Sequence, residues 1–306
     1  MEYKVHKYRY DNFHKFEDII KQSLDYLGYS DSDISNVKHI PAVNVYNHCH
    51  ISEVSNPNRP IVGHSLIFKP TAPTSKHFAI DTLGYANAST LAYEKPDINP
   101  DIEQMDWASI VELRNTKPNK WDDSILLKWH QARVNIPEDH ILIIGQQPHD
   151  ETVNGFGFGD HWKKLTQIVD GLKDGPIVIK LHPAMDREIQ MRAKQIEKWI
   201  SQGITVITDY VSIHTVLPRT RVAIVENSTA GIECLMHEVP VISYGWPEYH
   251  WATLKAQTIP QINSATTDLD WYQPVYAKQF IEWYINHYLC TDINSTVRRL
   301  KEILWT

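Results

Sequence analysis

Between His140 and Gly245 the sequence alternates short β-branched apolar runs with longer amphipathic segments. The first run, "HILIIG", closes at a glycine, and the second, "GPIVIKLHP", closes at a proline. Uninterrupted apolar runs of this length are typical of parallel strands that are buried on both faces. The segment between them has Leu165, Ile168 and Val169 at helical spacing and ends before Gly175. This pattern predicts one βαβ unit.

The same alternation continues through three more apolar runs, which are "ITVITD", "RVAIVE" and "PVISYG". Helix-like segments precede or separate these runs, the last of them being "TAGIECLMHE". Elements that alternate in this way predict an α/β fold with a doubly wound parallel sheet. In such sheets ligands bind at the carboxyl ends of the strands, so polar residues at those ends are candidates for a ligand site.

The N-terminal part has an amphipathic start and short apolar runs such as "SLIFKP" and "HFAID", followed by a polar stretch from Glu94 to Asn119. This pattern favours a smaller α/β domain. We therefore expect an N-terminal α/β domain over residues 1–130, a Rossmann-like domain over 131–270, and C-terminal helices over 271–306 that pack back across the domains.

Composition excludes several classes of protein. The 306 residues carry a formal net charge of -7, which argues against a broad nucleic-acid surface. No apolar run is long enough for a membrane span and the first residues do not resemble a signal peptide, so we expect a cytoplasmic protein. Peripheral membrane association stays open. The scattered cysteines, Cys49, Cys234 and Cys290, are expected to be reduced packing residues.

The stretch "ENSTAGIE" comes directly after the run "RVAIVE" and raises the first question about function. Asn227, Ser228 and Thr229 would form a turn and a helix N-terminus, where free N–H groups favour an anion. Gly231 would allow a ligand to approach the backbone, and Glu233 could accept hydrogen bonds from ribose hydroxyls. The alternative is that Ser228 or Thr229 only caps the helix, which contributes about 1 kcal/mol, and that Glu233 is solvated.

Three further candidates follow other runs. Asp150 lies in the turn after "HILIIG" and could serve as nucleophile, base or hydroxyl-binding group, or could simply cap a helix. His182 ends its strand before Pro183 and could bind a phosphate or move a proton, although a lone histidine is more often structural. His250 closes the segment "GWPEYH". Their convergence at one sheet edge favours a shared site.

The ordered motifs "GQQPHD", "IKLHP", "ENSTAGIECLMHEVPVISYG" and "EYH" resemble the capsule polysaccharide biosynthesis family, which includes retaining β-Kdo glycosyltransferases. The resemblance extends over residues 141–251. The sequence departs from the family pattern at Ile232, where an aromatic residue is usual, and at Cys234, where alanine is usual. Both departures leave the polar positions intact.

The resemblance implies the GT-B arrangement, in which two Rossmann-like domains face each other across a cleft. Residues 1–130 would form the acceptor-side domain and residues 131–270 the nucleotide-sugar-binding domain. The resemblance also implies that CMP-Kdo is a substrate and that no metal or other cofactor is used. It implies that Asp150 is the nucleophile and that the looser match "FAIDTLGYANAS" makes Asp81 the general acid/base. It also implies a catalytic contribution from His182. The donor-binding set that it implies comprises Gln146, His182, Asn227, Ser228, Thr229, Gly231, Glu233 and His250.

We therefore expect a metal-independent glycosyltransferase that acts on a nucleotide-sugar and a glycan or glycolipid acceptor. The alternative is a catalytically inactive nucleotide-sugar-binding or assembly protein on the same fold, since a fold alone does not establish a function. An epimerase or hydrolase of the same architecture also stays open. The pair His48 and His50 in "NHCH" is the nearest rival for a metal site, and without two further ligands we expect it to be structural.

Overall fold

The computed structural model describes residues 1–6, 14–31, 42–47, 64–98, 106–119, 134–154, 159–173, 175–182, 185–209 and 211–305. Two sheets organise these residues, and the sheets come from different parts of the chain. The predicted domain boundary at 130 lies outside the described residues, as do Cys49 and the histidine pair at 48 and 50.

The N-terminal sheet has five strands in the order β2-β1-β3-β4-β5. Its first four strands pair in parallel, and β5 pairs with β4 in the antiparallel sense. The strands are β1 (Glu2–His6), β2 (Ser30–Asp31), β3 (Val43–Asn47), β4 (His64–Pro70) and β5 (Phe78–Asp81).

The described part of the N-terminal half contains three α-helices, namely α1 (His14–Tyr26), α2 (Thr90–Tyr93) and α3 (Trp107–Asn115). The spacing of apolar residues in α1 places Phe16, Ile20 and Leu24 on one buried face. That face packs on the sheet, where Phe16 meets Phe78 with ring centroids 5.0 Å apart. A short 3-10 helix over Ala86–Ala88 precedes α2.

The C-terminal sheet has six parallel strands in the order β11-β10-β9-β6-β7-β8. This is the order of the Rossmann fold, with the direction of winding reversing between β6 and β9. The α/β class and the doubly wound parallel sheet predicted from the sequence are therefore confirmed. The strands are β6 (His140–Ile144), β7 (Ile177–Lys180), β8 (Thr205–Ile207), β9 (Thr220–Val225), β10 (Val241–Ser243) and β11 (Leu254–Lys255).

Helices connect these strands and cover both faces of the sheet. Alternate residues of β6 point to opposite faces, so Ile141 and Ile143 join one apolar cluster while Leu142 and Ile144 join the other. The connecting helices are α4 (Glu151–Asn154), α5 (His161–Gly171), α6 (Asp186–Met191), α7 (Ala193–Ser201), α8 (Ile213–Val216), α9 (Ala230–Met236) and α10 (Ile259–Thr267), with 3-10 helices at Leu217–Arg219 and His250–Ala252.

The last described segment returns to the N-terminal sheet. It comprises α11 (Pro274–Trp283), a π-helical turn at Tyr284–Tyr288, and α12 (Ile293–Leu304). Leu300 and Leu304 of α12 join the apolar cluster of α1 and the N-terminal strands. The backbone of Cys290 exchanges two hydrogen bonds with that of Phe78, at 3.0 and 2.8 Å. Residues of α11 join the apolar cluster that contains α9 and strands of the C-terminal sheet. The C-terminal helices thus pack against both sheets.

None of the helices in the described ranges is both long and apolar enough to cross a membrane. Cys234 and Cys290 are buried free thiols, and burial raises the pKa of Cys290 to about 12. Both cysteines therefore behave as apolar packing residues.

The central strand β9 gives a direct test of this core. Ile224 is fully buried, whereas Ile200 of α7 is 56% exposed. Ile224→Ala should lower the free energy of unfolding by about 2–5 kcal/mol, because it removes buried methyl groups and leaves a cavity. The control Ile200→Ala should change it by no more than about 0.5 kcal/mol. Urea denaturation of both variants measures the difference, and equal effects would place Ile224 outside the core.

Candidate functional site

A cleft opens at the carboxyl edge of the C-terminal sheet, beside the point where the winding reverses between β6 and β9. In doubly wound sheets this crevice is where ligands bind. The lining residues come from the ends of β6 and β7, from the turn after β9 and α9, from the segment that follows α3, and from the start of α8. They are Pro118, Asn119, Ile144, Gly145, Lys180, Leu181, His182, Val211, Ser212, Ile213, His214, Ser228, Thr229, Ala230 and Glu233.

Four of the side chains predicted from the sequence meet on this cleft. They are His182 after β7, Ser228 and Thr229 after β9, and Glu233 within α9. The residues are half-buried, which leaves them partly accessible from the cleft. The structure therefore brings together a histidine, two hydroxyls and a carboxylate from separate motifs, as expected for residues that follow neighbouring strands.

The first turn of α9 differs from the expected anion site. The helix has seven residues, and its first N–H groups are already used within the turn. The Ala230 N–H donates to Ser228 Oγ at 3.3 Å, and the Gly231 N–H donates to the Ser228 carbonyl at 3.0 Å. The N-cap residue is Thr229, and Ser228 closes a turn just before it. Side chains rather than the Ala230 and Gly231 N–H groups must therefore supply most of any anion binding at this turn.

Lys180 is a cleft residue that the sequence hypothesis did not select. It is the last residue of β7 and is 9% exposed. Burial lowers the pKa of its amine to about 8, and the charge of Glu233 opposes that shift. The signal was present in the sequence, because a lysine inside the apolar run "GPIVIKLHP" is unusual for a strand buried on both faces.

His214 is a second residue that the sequence did not reveal. Its Nε2 lies 3.1 Å from the Pro118 carbonyl and its Nδ1 lies 2.8 Å from His237 Nε2. Burial lowers the pKa of both histidines to about 4. His214 is therefore neutral at pH 7, so its 3.7 Å approach to Glu233 Oε1 is not an ion pair. The His214 ring forms part of the cleft wall beside Glu233.

Gln146 and Asn227, which were predicted to bind the donor, connect the strand ends to each other. Gln146 Oε1 accepts from the Asn227 N–H at 3.1 Å, and Gln146 Nε2 donates to Thr152 Oγ1 at 2.9 Å. Asn227 Nδ2 donates to the Thr152 carbonyl at 2.8 Å and Asn227 Oδ1 accepts from the Trp246 N–H at 2.5 Å. Both side chains are buried, and their polar atoms are engaged by the protein.

Gly231 also has a packing role. A Cβ at this position would come within 2.6 Å of three atoms of the Tyr249 phenol. The Tyr249 hydroxyl donates to the Ser228 carbonyl, so the ring is held against the glycine. The missing side chain of Gly231 thus makes room for Tyr249, and the expectation that it lets a ligand approach the backbone stays a prediction.

Asp150 lies where the turn after β6 meets α4. Its Oδ1 accepts from the Thr152 N–H at 2.8 Å and from Thr152 Oγ1 at 2.5 Å. This is the geometry of a helix N-cap, the structural alternative considered for this residue. Asp150 is half-buried, and it is not among the residues that line the described cleft.

Asp81, the candidate acid/base, is 1% exposed and is surrounded by donors. Its oxygens accept from the N–H groups of Leu83 and Gly84, from the N–H and hydroxyl of Thr90, and from the Tyr288 hydroxyl. These bonds anchor the start of α2 to β5. A carboxylate held in this way has a structural role, and a proton transfer to a substrate would require it to give up several protein donors.

His250, which was also predicted to bind the donor, joins α2 to the C-terminal sheet. Its Nε2 lies 3.0 Å from the Ala92 carbonyl, which also accepts from Trp246 Nε1 at 2.9 Å. Trp251 Nε1 donates to the Leu91 carbonyl at 2.7 Å. Three ring N–H groups thus satisfy carbonyls at the end of α2 that have no partner within the helix.

Glu248 lies in the same seam between α2 and residues 246–251, and it belongs to the motif "EYH", of which only His250 was predicted to act. It is buried, and its Oε1 accepts from the Tyr284 hydroxyl at 2.5 Å. Its Oε2 has no hydrogen-bond partner among the described residues. Burial raises the pKa of Glu248 to about 7, and the charge of nearby Asp81 adds to that shift.

The raised pKa makes Glu248 a source of pH-dependent stability. The folded protein binds a proton that the unfolded chain has lost, so stability should fall as pH rises from about 4.5 towards 7, by an amount on the order of 3 kcal/mol. Glu248→Gln should remove most of this dependence and be more stable than the wild type at pH 8. The control is Glu112→Gln on the exposed side of α3. Urea denaturation at pH 5 and pH 8 tests this, and parallel pH profiles for wild type and Glu248→Gln would refute it.

Among the residues that the structure describes, no group of three or more histidine, cysteine, aspartate or glutamate side chains is arranged to hold a metal ion. The expectation that the protein uses no metal or cofactor stays a prediction.

No curated protein matches the sequence. The KpsC β-Kdo 2,7 transferase of Thermosulfurimonas dismutans aligns over 99% of this chain and 99% of its own, with a TM-score of 0.55 and 14% identity. The KpsC β-Kdo 2,4 transferase of the same organism aligns over 92% of this chain and 89% of its own, with a TM-score of 0.59 and 14% identity.

These likenesses confirm the two-domain GT-B arrangement expected from the sequence. At the level of sequence, the profile of the capsule polysaccharide biosynthesis protein family matches residues 92–287, which is more than half of the chain. The match begins at Ala92 near the end of α2, includes the cleft and α11, and ends before α12. The chain therefore belongs to the capsule polysaccharide biosynthesis protein family.

Proposed function

We propose that this chain is a glycosyltransferase that moves a sugar from a nucleotide donor to a glycan acceptor in surface polysaccharide synthesis. The donor that we propose is CMP-Kdo, and the transfer proceeds with retention and without a metal. The observation that carries the proposal is the cleft, where His182, Ser228, Thr229 and Glu233 converge from separate strand ends. Membership of the family supports the biosynthetic role.

The cleft has the chemistry that a nucleotide requires. Glu233 can accept hydrogen bonds from the two ribose hydroxyls, and such charge-assisted bonds are worth about 1.5–3 kcal/mol each. Ser228, Thr229 and His182 also line the cleft and can donate to a phosphate. When the bond between the anomeric carbon and the phosphate oxygen breaks, the electron pair stays on the phosphate, and these donors stabilise the resulting charge.

Retention needs either a covalent intermediate or attack from the face that the leaving group vacates. For the first route we propose Asp150 as the nucleophile. Gly145 is part of the cleft wall, and Asp150 lies five residues after it in the sequence. Its bonds with Thr152 hold the carboxylate in one orientation, which favours attack once a sugar is in place. The proposed roles of Asp150 and Asp81 rest on the family resemblance.

A second candidate function is supported by the bonds that those two carboxylates make. Asp81 accepts five protein donors, and Asp150 caps α4, so each has a structural role that does not involve a substrate. This observation favours a nucleotide-sugar-binding or assembly protein without catalysis. Release of nucleotide from CMP-Kdo by the purified protein distinguishes the two, because only the enzyme produces CMP.

The donor is tested by thermal shift against CMP, CDP, UDP, GDP and their sugars, each with EDTA and again with Mg²⁺. CMP or CMP-Kdo should raise Tm most and should do so in EDTA, since a ligand at 100 times its Kd adds about 2.7 kcal/mol of stability. A larger shift with UDP or GDP would indicate another donor class. A protein that responds to no nucleotide would contradict the proposed function, and a response that depends on Mg²⁺ would contradict metal independence.

Asp150→Asn tests the nucleophile. Asparagine keeps the size and the capping ability of aspartate but cannot form the glycosyl ester. Turnover of CMP-Kdo should fall by roughly three orders of magnitude or more, with the Kd for CMP largely preserved. Mass spectrometry of wild type with donor should detect a glycosyl adduct that the variant lacks.

The matched control is Asp160→Asn. Asp160 caps α5 by accepting from the Lys163 N–H at 3.1 Å, so it has the capping role alone. Its replacement should leave turnover close to that of wild type. Near-normal turnover in Asp150→Asn as well would remove Asp150 from the mechanism and leave same-face attack.

A further inference from the structure

Lys180 occupies a position where the sheet would otherwise be apolar. Val178, two residues earlier in β7, belongs to the cluster that also contains Leu142 and Val225. Ile179 and Leu181 belong to the cluster on the opposite face. Because side chains alternate along a strand, Lys180 extends the row of Val178 towards the cleft. Its stem is buried among apolar residues and its amine is carried to the cleft wall.

The amine of Lys180 makes neither a hydrogen bond nor an ion pair with any residue in the described ranges, although the residue is only 9% exposed. Glu233 is close enough to influence its charge but forms no ion pair with it. Burying an ammonium group without a bonded anion is strongly unfavourable. A charge in this position therefore destabilises the empty protein, and a bound anion would relieve that cost.

Two neighbouring features, the turn before α9 and His214, cannot replace this cation. The Ala230 and Gly231 N–H groups are bonded within the turn, and the His214 ring is neutral and occupied by Pro118 and His237. Lys180 is the one lysine or arginine on the described cleft wall. The anion that enters beside Ser228 and Thr229 would meet the amine of Lys180.

We propose that Lys180 is a binding residue whose ammonium group holds the phosphate of the nucleotide donor in the cleft. This inference rests on the proposed function, since it concerns the same ligand. It adds the group that neutralises the phosphate, a role that the sequence hypothesis gave to the turn before α9 and to His182.

The binding test uses CMP and cytidine, which differ only by the phosphate, with isothermal titration calorimetry at pH 7. Lys180→Met should raise the Kd for CMP about 10- to 100-fold, as expected for the loss of one charge-assisted bond, and should change the Kd for cytidine less than twofold. The control Lys194→Met, an exposed lysine in α7, should change neither. If Lys180→Met binds CMP as wild type does, the inference is wrong.

The stability of the empty protein gives a second readout that a purely structural lysine would not share. Lys180→Met removes an unpaired buried charge and continues the apolar row, so its Tm without ligand should be higher than that of wild type. A lower Tm would assign Lys180 a structural role and overturn the inference. If the methionine variant does not fold, Lys180→Gln provides the same comparison of CMP with cytidine.

A pH series isolates the ammonium group. Wild-type affinity for CMP should fall as pH rises above about 8, where Lys180 loses its proton, whereas Lys180→Arg should keep its affinity because arginine stays charged. The other titratable groups on the described wall are His182, His214 and Glu233, and both proteins contain them. Identical pH profiles would contradict the inference. If wild type binds no nucleotide at any pH, the proposed function itself fails, and the inference fails with it.

Discussion

A buried polar network at the carboxyl edge of the C-terminal sheet fixes the turns after β6 and β9, whose residues line the cleft. Glu226 Oε2 accepts from His161 Nδ1 at 2.5 Å, and His161 Nε2 accepts from the Gln146 N–H at 3.0 Å. Gln146 and Asn227 then connect the turn after β6 to the turn after β9. Because these groups are buried, losing any one of them would leave its partners unsatisfied at a cost of about 1–3 kcal/mol each.

The network also sets the tautomer of His161 and the position of the next turn. Since Nε2 accepts, the proton is on Nδ1, and that proton is donated to Glu226. Asn227 reaches the Trp246 N–H, and Gly245 has no side chain because a Cβ there would lie 2.3 Å from Asn227 Oδ1. The turns after β6, β9 and β10 are therefore held as one unit, and Ser228 and Thr229 follow directly from it.

The two halves of the protein meet through contacts of the same kind. Ring N–H groups of Trp246, His250 and Trp251 satisfy the carbonyls at the end of α2, and Glu248 is buried in the same seam. On the other side, α12 packs against α1 and the N-terminal sheet. Residues chosen from the sequence as donor ligands thus include several that position the cleft, while Lys180 and His214 line the cleft itself.

The sequence by itself determined the α/β class, the parallel order of the C-terminal elements and the strand ends at which His182, Ser228, Thr229 and Glu233 would meet. It could do so because apolar periodicity reports burial, and because parallel strands place their carboxyl ends at one edge. Only the tertiary structure decided which polar side chains face the cleft. Gln146, Asn227 and His250 are engaged by partners far along the chain, namely Asn227, Thr152 and Ala92, and Tyr288 adds such a bond to the local ones of Asp81. Hydrogen bonds between residues so distant in sequence leave no local sequence pattern. Ligand-binding residues and structural residues of the same type can therefore be distinguished only in the folded chain.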